Sequence, residues 1–351
     1  MTESDEIVVI GIGARTPLGF SAAASAAAVR AGISNIQDHP YMVDRFGEVM
    51  KVSRDAGIDI ELLGPDRAVE MAIMPALDAL DPLLKTGRSA PVSLIVSTGE
   101  PRPGQDSHFA AAVHARVSGR LSQHVDLEGG GSSAGGHAGG LLTIHHACKV
   151  LRQGRTNFCL VGGIDSYLEP ETLEWLDENQ QLLSEKNIYG FCPGEAAGFC
   201  LVTTRESASA FGCEPLLQVI GTSVASEANR IKTQTVCIGD GLSAAFQALF
   251  DDLPNALVDR IICDMNGERY RGNEYGFAVL RNTGRFRNAA DFETPADCWG
   301  DIGAASGTLF VSLVAEAQAR GYSKGPLSLV WASSENGARA AVLLGGSKGT
   351  A

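Results

Sequence analysis

In this 351-residue chain, His137 stands out chemically because it lies in the tract Gly129-Gly130-Gly131-Ser132-Ser133-Ala134-Gly135-Gly136-His137-Ala138-Gly139-Gly140. So many glycines cost chain entropy, which implies a close backbone approach or a sharp elbow. The residues that follow read as a helix to about Leu151, so His137 falls near a helix N-terminus. Such a position, at the positive end of the helix dipole, suits a nucleophile or an oxyanion site. A flexible glycine loop with an exposed histidine is the plainer alternative. Gly11-Ile12-Gly13 also follows a strand, but Pro17 interrupts the run before a dinucleotide-binding pattern is complete. A tight strand-to-helix turn fits it better. No GxxxxGK[ST] occurs, so no phosphate-cradling loop is expected.

Composition narrows the function classes. With 28 Lys+Arg against 41 Asp+Glu, the net charge of −13 argues against nucleic-acid or anionic-membrane binding. No apolar run approaches the ~20 residues needed to span a bilayer. The acidic start MTESDEIVVIG enters a strand at once and does not read as a targeting signal, so a cytoplasmic protein is expected. The cysteines at 148, 159, 192, 200, 213, 237, 263 and 298 have no CxxC spacing. They read as reduced core residues, and neither a metal nor a cofactor is expected.

The elements that must position His137 follow an α/β alternation. Strands are predicted at 7–10, 93–96, 158–161 and 198–203, with helices at 21–31, 66–80 and from the glycine tract to 151. Pro75 predicts a kink or a late start in the second helix. The stretch 169–187 is acidic and reads as a helix with a surface loop, its charges a solvated face. From residue 216 the order repeats: strands at 216–221, 260–264, 327–332 and 340–344, helices at 241–250 and 303–320. This points to two similar halves, 1–208 and 209–351, packed into one body.

Several segments together resemble the β-ketoacyl synthases of the thiolase superfamily: VVIGIGARTPLG (8–19), DRAVEMAIMPALDAL (66–80), HHACKVLRQGRTNFCLVGGIDS (145–166), GFCPGEAAGFCLV (190–202) and GDIGAASGTLFVSLVAE (300–316). The resemblance implies a five-layer αβαβα fold with two pseudo-repeated halves, and a dimer. It also implies an acyl pocket ending at the elbow, where the family carries a nucleophilic cysteine assisted by two histidines from the second half.

Those three positions fall here on His137, Asn266 and Asp301. The lysine the family places upstream of the second histidine falls on Ala296, and the loop before the Gly-Phe segment is shortened to Asn187-Ile188-Tyr189. All seven histidines lie at or before 146, and the earliest cysteine, Cys148, is inside a predicted helix. Condensation is therefore not expected, because the enolate formed on decarboxylation would lose its imidazole donors, each worth 10²–10³ in rate. Two readings follow. One is a non-condensing partner or acyl-binding subunit of a fatty-acid or polyketide-type pathway, dimerising with itself or a ketosynthase paralogue and meeting an acyl carrier protein or acyl thioester. The other is a diverged acyltransferase or thioester/ester hydrolase using a His137–Asp301 pair, with Asn266 as an oxyanion donor and Ser132 or Ser133 nearby. Against carrier docking, a partner of net charge −13 would repel an acidic carrier protein unless a local basic patch compensated. Cys298 reads as a core cysteine before a displaced nucleophile, Glu195 as structural support, and one of His145 and His146 as packed inward.

Overall fold

A computed structural model of the protein describes residues 6–347. Met1–Asp5, part of the acidic start, lie outside them. Up to residue 211 the chain runs β1 (Ile7–Arg15), α1 (Ala22–Arg30), β2 (Gln37–Val43), β3 (Val49–Val52), α2 (Gly64–Leu84), β4 (Val92–Thr98) and α3 (Phe109–Leu121). Then come β5 (Leu127–Ala134), α4 (Gly139–Arg152), β6 (Phe158–Ser166), α5 (Pro170–Glu178), β7 (Glu195–Thr204) and α6 (Arg205–Phe211). It continues with β8 (Leu217–Ser226), α7 (Asp240–Asp251), β9 (Arg260–Cys263), α8 (Arg269–Arg281), β10 (Phe292–Glu293), α9 (Ala296–Trp299), α10 (Ser306–Ala319), β11 (Leu327–Ser333) and β12 (Ala338–Gly346).

Ten strands join in the order β10-β9-β11-β12-β8-β1-β7-β6-β4-β5, with β2 and β3 forming a separate hairpin. Read outward from the β1–β8 junction, both sides follow one plan. β1 pairs antiparallel with β7 and β7 with β6, and then β6, β4 and β5 run parallel. Likewise β8 pairs antiparallel with β12 and β12 with β11, before β11, β9 and β10 run parallel. Among the described strands, the two sides pair only through Ile7–Val9 and Leu217–Val219. α4 and α10 pack between them, α2 and α3 cover one outer face, and α7 and α8 cover the other. This is the five-layer αβαβα arrangement.

Sequence and burial agree on why the layers form. β4 and β6 are covered on both faces and read as nearly continuous apolar runs. α10 is apolar almost all round and is buried almost all round, as a central helix must be. Gly13 permits β1 to lie directly against α2, because a Cβ there would overlap the Pro75 carbonyl oxygen. The Gly11-Ile12-Gly13 motif is therefore a packing feature within a strand, not the strand-to-helix turn predicted. All eight cysteines are unpaired, and all but Cys237 are buried.

Four further differences matter. The helix expected over 66–80 spans Gly64–Leu84 and contains Pro75 and Pro82, so Pro75 delays nothing. Gly129–Ala134, expected as part of a loop or elbow, belongs to β5, where pairing with β4 satisfies the backbone. α3, α8 and the β2–β3 hairpin were not expected. The acidic stretch is not wholly a solvated face either: Glu169, Leu173 and Leu176 are buried.

Candidate functional site

Two strand-to-helix elbows meet at the centre of the molecule. The first is a 3-10 turn, Gly136–Ala138, linking β5 to α4. Gly136 has φ +63°, and its lack of a side chain leaves room for Glu100 Oε1. Ser334 pins this turn from β11's end: its hydroxyl donates to the Gly135 carbonyl (2.7 Å) and accepts from the Ala138 N–H (2.8 Å). The second elbow is the 3-10 turn Gly303–Ala305 ahead of α10. Asp165 fixes it by accepting from the Ala304 N–H at 2.9 Å. Asp301 caps it through Oδ1, which accepts from the Gly303 N–H at 2.9 Å.

The elbows bring His137, Asn266 and Asp301 together. His137 Nε2 lies 2.9 Å from both carboxylate oxygens of Asp301, and Asn266 Nδ2 donates to Asp301 Oδ2 at 2.6 Å. Asn266 also donates to Glu268 Oε2 (3.1 Å) and accepts from the Glu268 N–H (3.1 Å). The carboxamide is thus committed to two carboxylates.

Arg271, fully buried on α8, is the residue sequence reasoning missed. Its guanidinium donates to Asp264 Oδ2 (2.7 Å) and the Ser333 carbonyl (3.0 Å), and Nη2 lies 3.1 Å from His137 Nε2. One nitrogen cannot both donate to Asp301 and accept from Arg271. Two carboxylate oxygens at 2.9 Å require the proton on Nε2, so Arg271 acts on the ring as a nearby cation. Burial disfavours the imidazolium and Arg271 adds to that, but Asp301 outweighs both, and the His137 pKa is raised. Burial likewise opposes ionisation of Asp301, yet His137, Arg271 and the Gly303 N–H hold its carboxyl well below the usual range. Both shifts favour the charged pair.

A cavity of about 60 Å³ adjoins the ring, lined by His137, Arg102, Tyr167, Trp175, Phe191 and Glu335 among others. It has room for a few water-sized groups and is far below the 300–1,000 Å³ of ordinary ligand pockets. His137 Nδ1 has no hydrogen-bond partner among the described residues. Arg102 is paired with Asp165 and lies 3.8 Å over the Tyr167 ring, its Nε unpartnered.

The remaining candidates lie elsewhere. Ser132 and Ser133 are exposed on β5, and neither lines the cavity. Cys298 lines a separate surface cleft with Arg30, Glu293 and Tyr322. The Cys192 thiol, whose backbone carbonyl accepts from the Asp301 N–H, is pushed up to about 12, first by burial and then by Asp301. Glu195 receives a bidentate pair from Arg67 (2.6 Å each) and braces the start of β7. His145 Nδ1 meets Thr222 Oγ1 at 2.9 Å, while His146 is exposed. Ala296 opens α9.

A signal for Arg271 was present. The buried positions of α8 are Arg271, Glu274, Tyr275 and Ala278, at helical i, i+3, i+4, i+7 spacing, but the first two are charged. A search for apolar periodicity passes over them.

A family model described as Beta-ketoacyl synthase, N-terminal domain, matches residues 48–208. The chain is 23% identical over 291 residues to 3-oxoacyl-[acyl-carrier-protein] synthase 2 of Staphylococcus aureus, covering 72% of this chain and 70% of that one. Among solved structures, the ishigamide ketosynthase/chain length factor superposes with TM-score 0.79 at 16% identity, over 97% of this chain and 99% of that one. A type II PKS acyl-carrier protein in complex with its ketosynthase bound to the hexaketide gives 0.78 at 14% identity, over 97% and 99%. The fold is thus that of the ketosynthases, a thiolase-like α/β architecture. In sequence and fold the chain is similar to the β-ketoacyl synthases of the thiolase superfamily. No helix among the described residues is long and apolar enough to cross a membrane.

Proposed function

We propose that this chain is a non-condensing ketosynthase-like subunit, with His137, Asn266 and Asp301 standing where the family carries its cysteine and two histidines. The observation that carries the reading is the closed His137–Asp301 pair at the elbow. An imidazole bonded to a carboxylate offers no thiol for a stored acyl group, and an anionic Asp301 would repel the enolate that condensation requires. The cavity of about 60 Å³ supports the same reading, since an extended acyl chain does not fit it. Division into halves 1–208 and 209–351 accords with the repeated strand order.

The partner is a second copy or a ketosynthase paralogue, and an acyl carrier protein or acyl thioester is the ligand expected in a fatty-acid or polyketide-type pathway. β5 supports pairing: it bonds only to β4 among the described strands, and its Gly- and Ser-rich outer edge is exposed. Incubation with malonyl and acyl thioesters should give neither acylated protein nor carbon dioxide. Condensation product above background would end the proposal. Light scattering, alone and with a candidate ketosynthase, would test the pairing.

A second reading, hydrolysis or acyl transfer on a thioester or ester, is favoured by the unpartnered Nδ1. Above the raised His137 pKa the ring is neutral with its Nε2 proton held by Asp301, and Nδ1 can then take a proton from water as the water attacks the carbonyl, and return it to the departing thiolate or alkoxide. Asp301 would stabilise the imidazolium between the two steps. Turnover lost in both His137→Ala and Asp301→Ala would support it; turnover surviving both would exclude it.

A further inference from the structure

We propose that Lys232 is a latch that closes the cavity beside His137, and that reagents reach the imidazole only when this lysine lets go. Lys232 lies in the 227–239 connection between β8 and α7. Its ammonium donates to Gln181 Oε1 at 2.7 Å, pairs with Glu335, and lies 3.3 Å from Glu268 Oε1. These partners come from three separate stretches: the segment after α5, the β11–β12 turn and the residue before α8. Gln181 and Glu335 line the cavity, as does Phe191, whose ring centroid is 5.8 Å from the ammonium. One side chain thus draws the rim together from outside.

The backbone supports a built contact. Lys232 has φ +58°, one of two non-glycine residues in the left-handed region among those described. A residue with a side chain holds that conformation only where its surroundings over-determine it. The latch also connects to the site. Glu268 Oε2 accepts from Asn266, which donates to Asp301, which holds His137. Without the lysine, Glu335 loses its paired cation and Gln181 its donor, while Glu268 keeps Arg271 at 3.5 Å, so nothing draws the three stretches together.

The test is carbethoxylation of the native full chain at pH 8 with diethyl pyrocarbonate, a reagent too large for the closed cavity, with each histidine's rate mapped by mass spectrometry. Exposed His108 and His124 report free reactivity, and buried His39 reports an intact fold. In the native chain His137 should react at least about tenfold more slowly than His108. Lys232→Met should speed His137 by about tenfold or more and leave His108, His124 and His39 unchanged. Removing this cation also makes His137 harder to deprotonate, so any acceleration cannot come from its charge state. Lys232→Gln, which also removes the cation but keeps a polar side chain, should act in the same direction but less, and it decides the matter if Lys232→Met exposes His39. Equal His137 rates in the native chain and the variants overturn the proposal, as does a native His137 that reacts as fast as His108.

Discussion

The elbow before α4 and the elbow before α10 each pass through a one-turn 3-10 segment opening on a glycine at positive φ, +63° at Gly136 and +47° at Gly303. Each leads into a helix of 14 residues. They differ in what surrounds the turn. At Gly136 the space a Cβ would need is taken by the carboxyl end of Glu100, and at Gly303 by Asp165. Glu100 is held at that end by the Asn336 N–H at the surface. Asp165 is buried and holds Arg102, Ala304 and its neighbour Ser166 at once. The helices differ too: α4 exposes His146 and Lys149, whereas α10 is enclosed. The same backbone device thus serves a more accommodating role on one side and a rigid one on the other, and the site lies where the two meet.

The largest expected effect comes from cutting the link between the elbows. Asp301→Ala leaves His137 beside the Arg271 cation with no carboxylate and uncaps the second turn. Breaking a buried pair costs about 3–5 kcal/mol, to be read from urea unfolding. Leu309→Ala, in the enclosed helix, should cost about 2–5 kcal/mol. His146→Ala, on the exposed face of α4, should stay within about 0.5 kcal/mol. Similar costs for these two would contradict the contrast in burial.

The glycines sharpen the comparison further. Gly303→Ala and Gly136→Ala both place a side chain at positive φ, a cost of roughly 1–3 kcal/mol each. Gly303→Ala should be the more damaging, because Asp165 cannot move without releasing its partners. Melting temperatures measured side by side check this; the reverse order would show the first elbow to be the rigid one.

The same comparison extends to pH dependence. His137 is held above its ordinary 6.5, so its protonation contributes stability in full below that pH and loses it as pH rises through the raised value. Asp301 is held below its ordinary 3.8, so its contribution is full above that pH and is lost as pH falls through the depressed value. The pair is therefore worth most between about pH 4 and 6.5. Asp301→Asn should show its greatest stability deficit in that window, with a smaller one at alkaline pH. A deficit independent of pH would mean that the pair is not ionised.

Some of this was legible in the chain. The buried strands β4, β6, β7 and β11 announce themselves as apolar runs, and the replay of strand and helix order foreshadows the repeated sheet. Positions 137, 266 and 301 could be singled out by resemblance, and the structure brings them within hydrogen-bonding distance. Other features were hidden because their signals are not hydrophobic. β5 is glycine and serine where a strand usually shows branched side chains, and it is a strand because β4 offers it partners. α8 hides its inward face behind Arg271 and Glu274, charges that are tolerable inside only when Asp264 and Arg339 are supplied from elsewhere.

The amino-acid order by itself determined the alternation of elements, the absence of a thiol at the elbow and of any imidazole beyond residue 146, because these depend only on which residue types occur where. The folded arrangement alone decided that His137 faces Asp301 and Arg271 together, that Nε2 must keep its proton, and that the adjoining cavity is small. Those facts depend on distances between residues more than a hundred positions apart, which the packing of the two sides sets and local pattern does not encode.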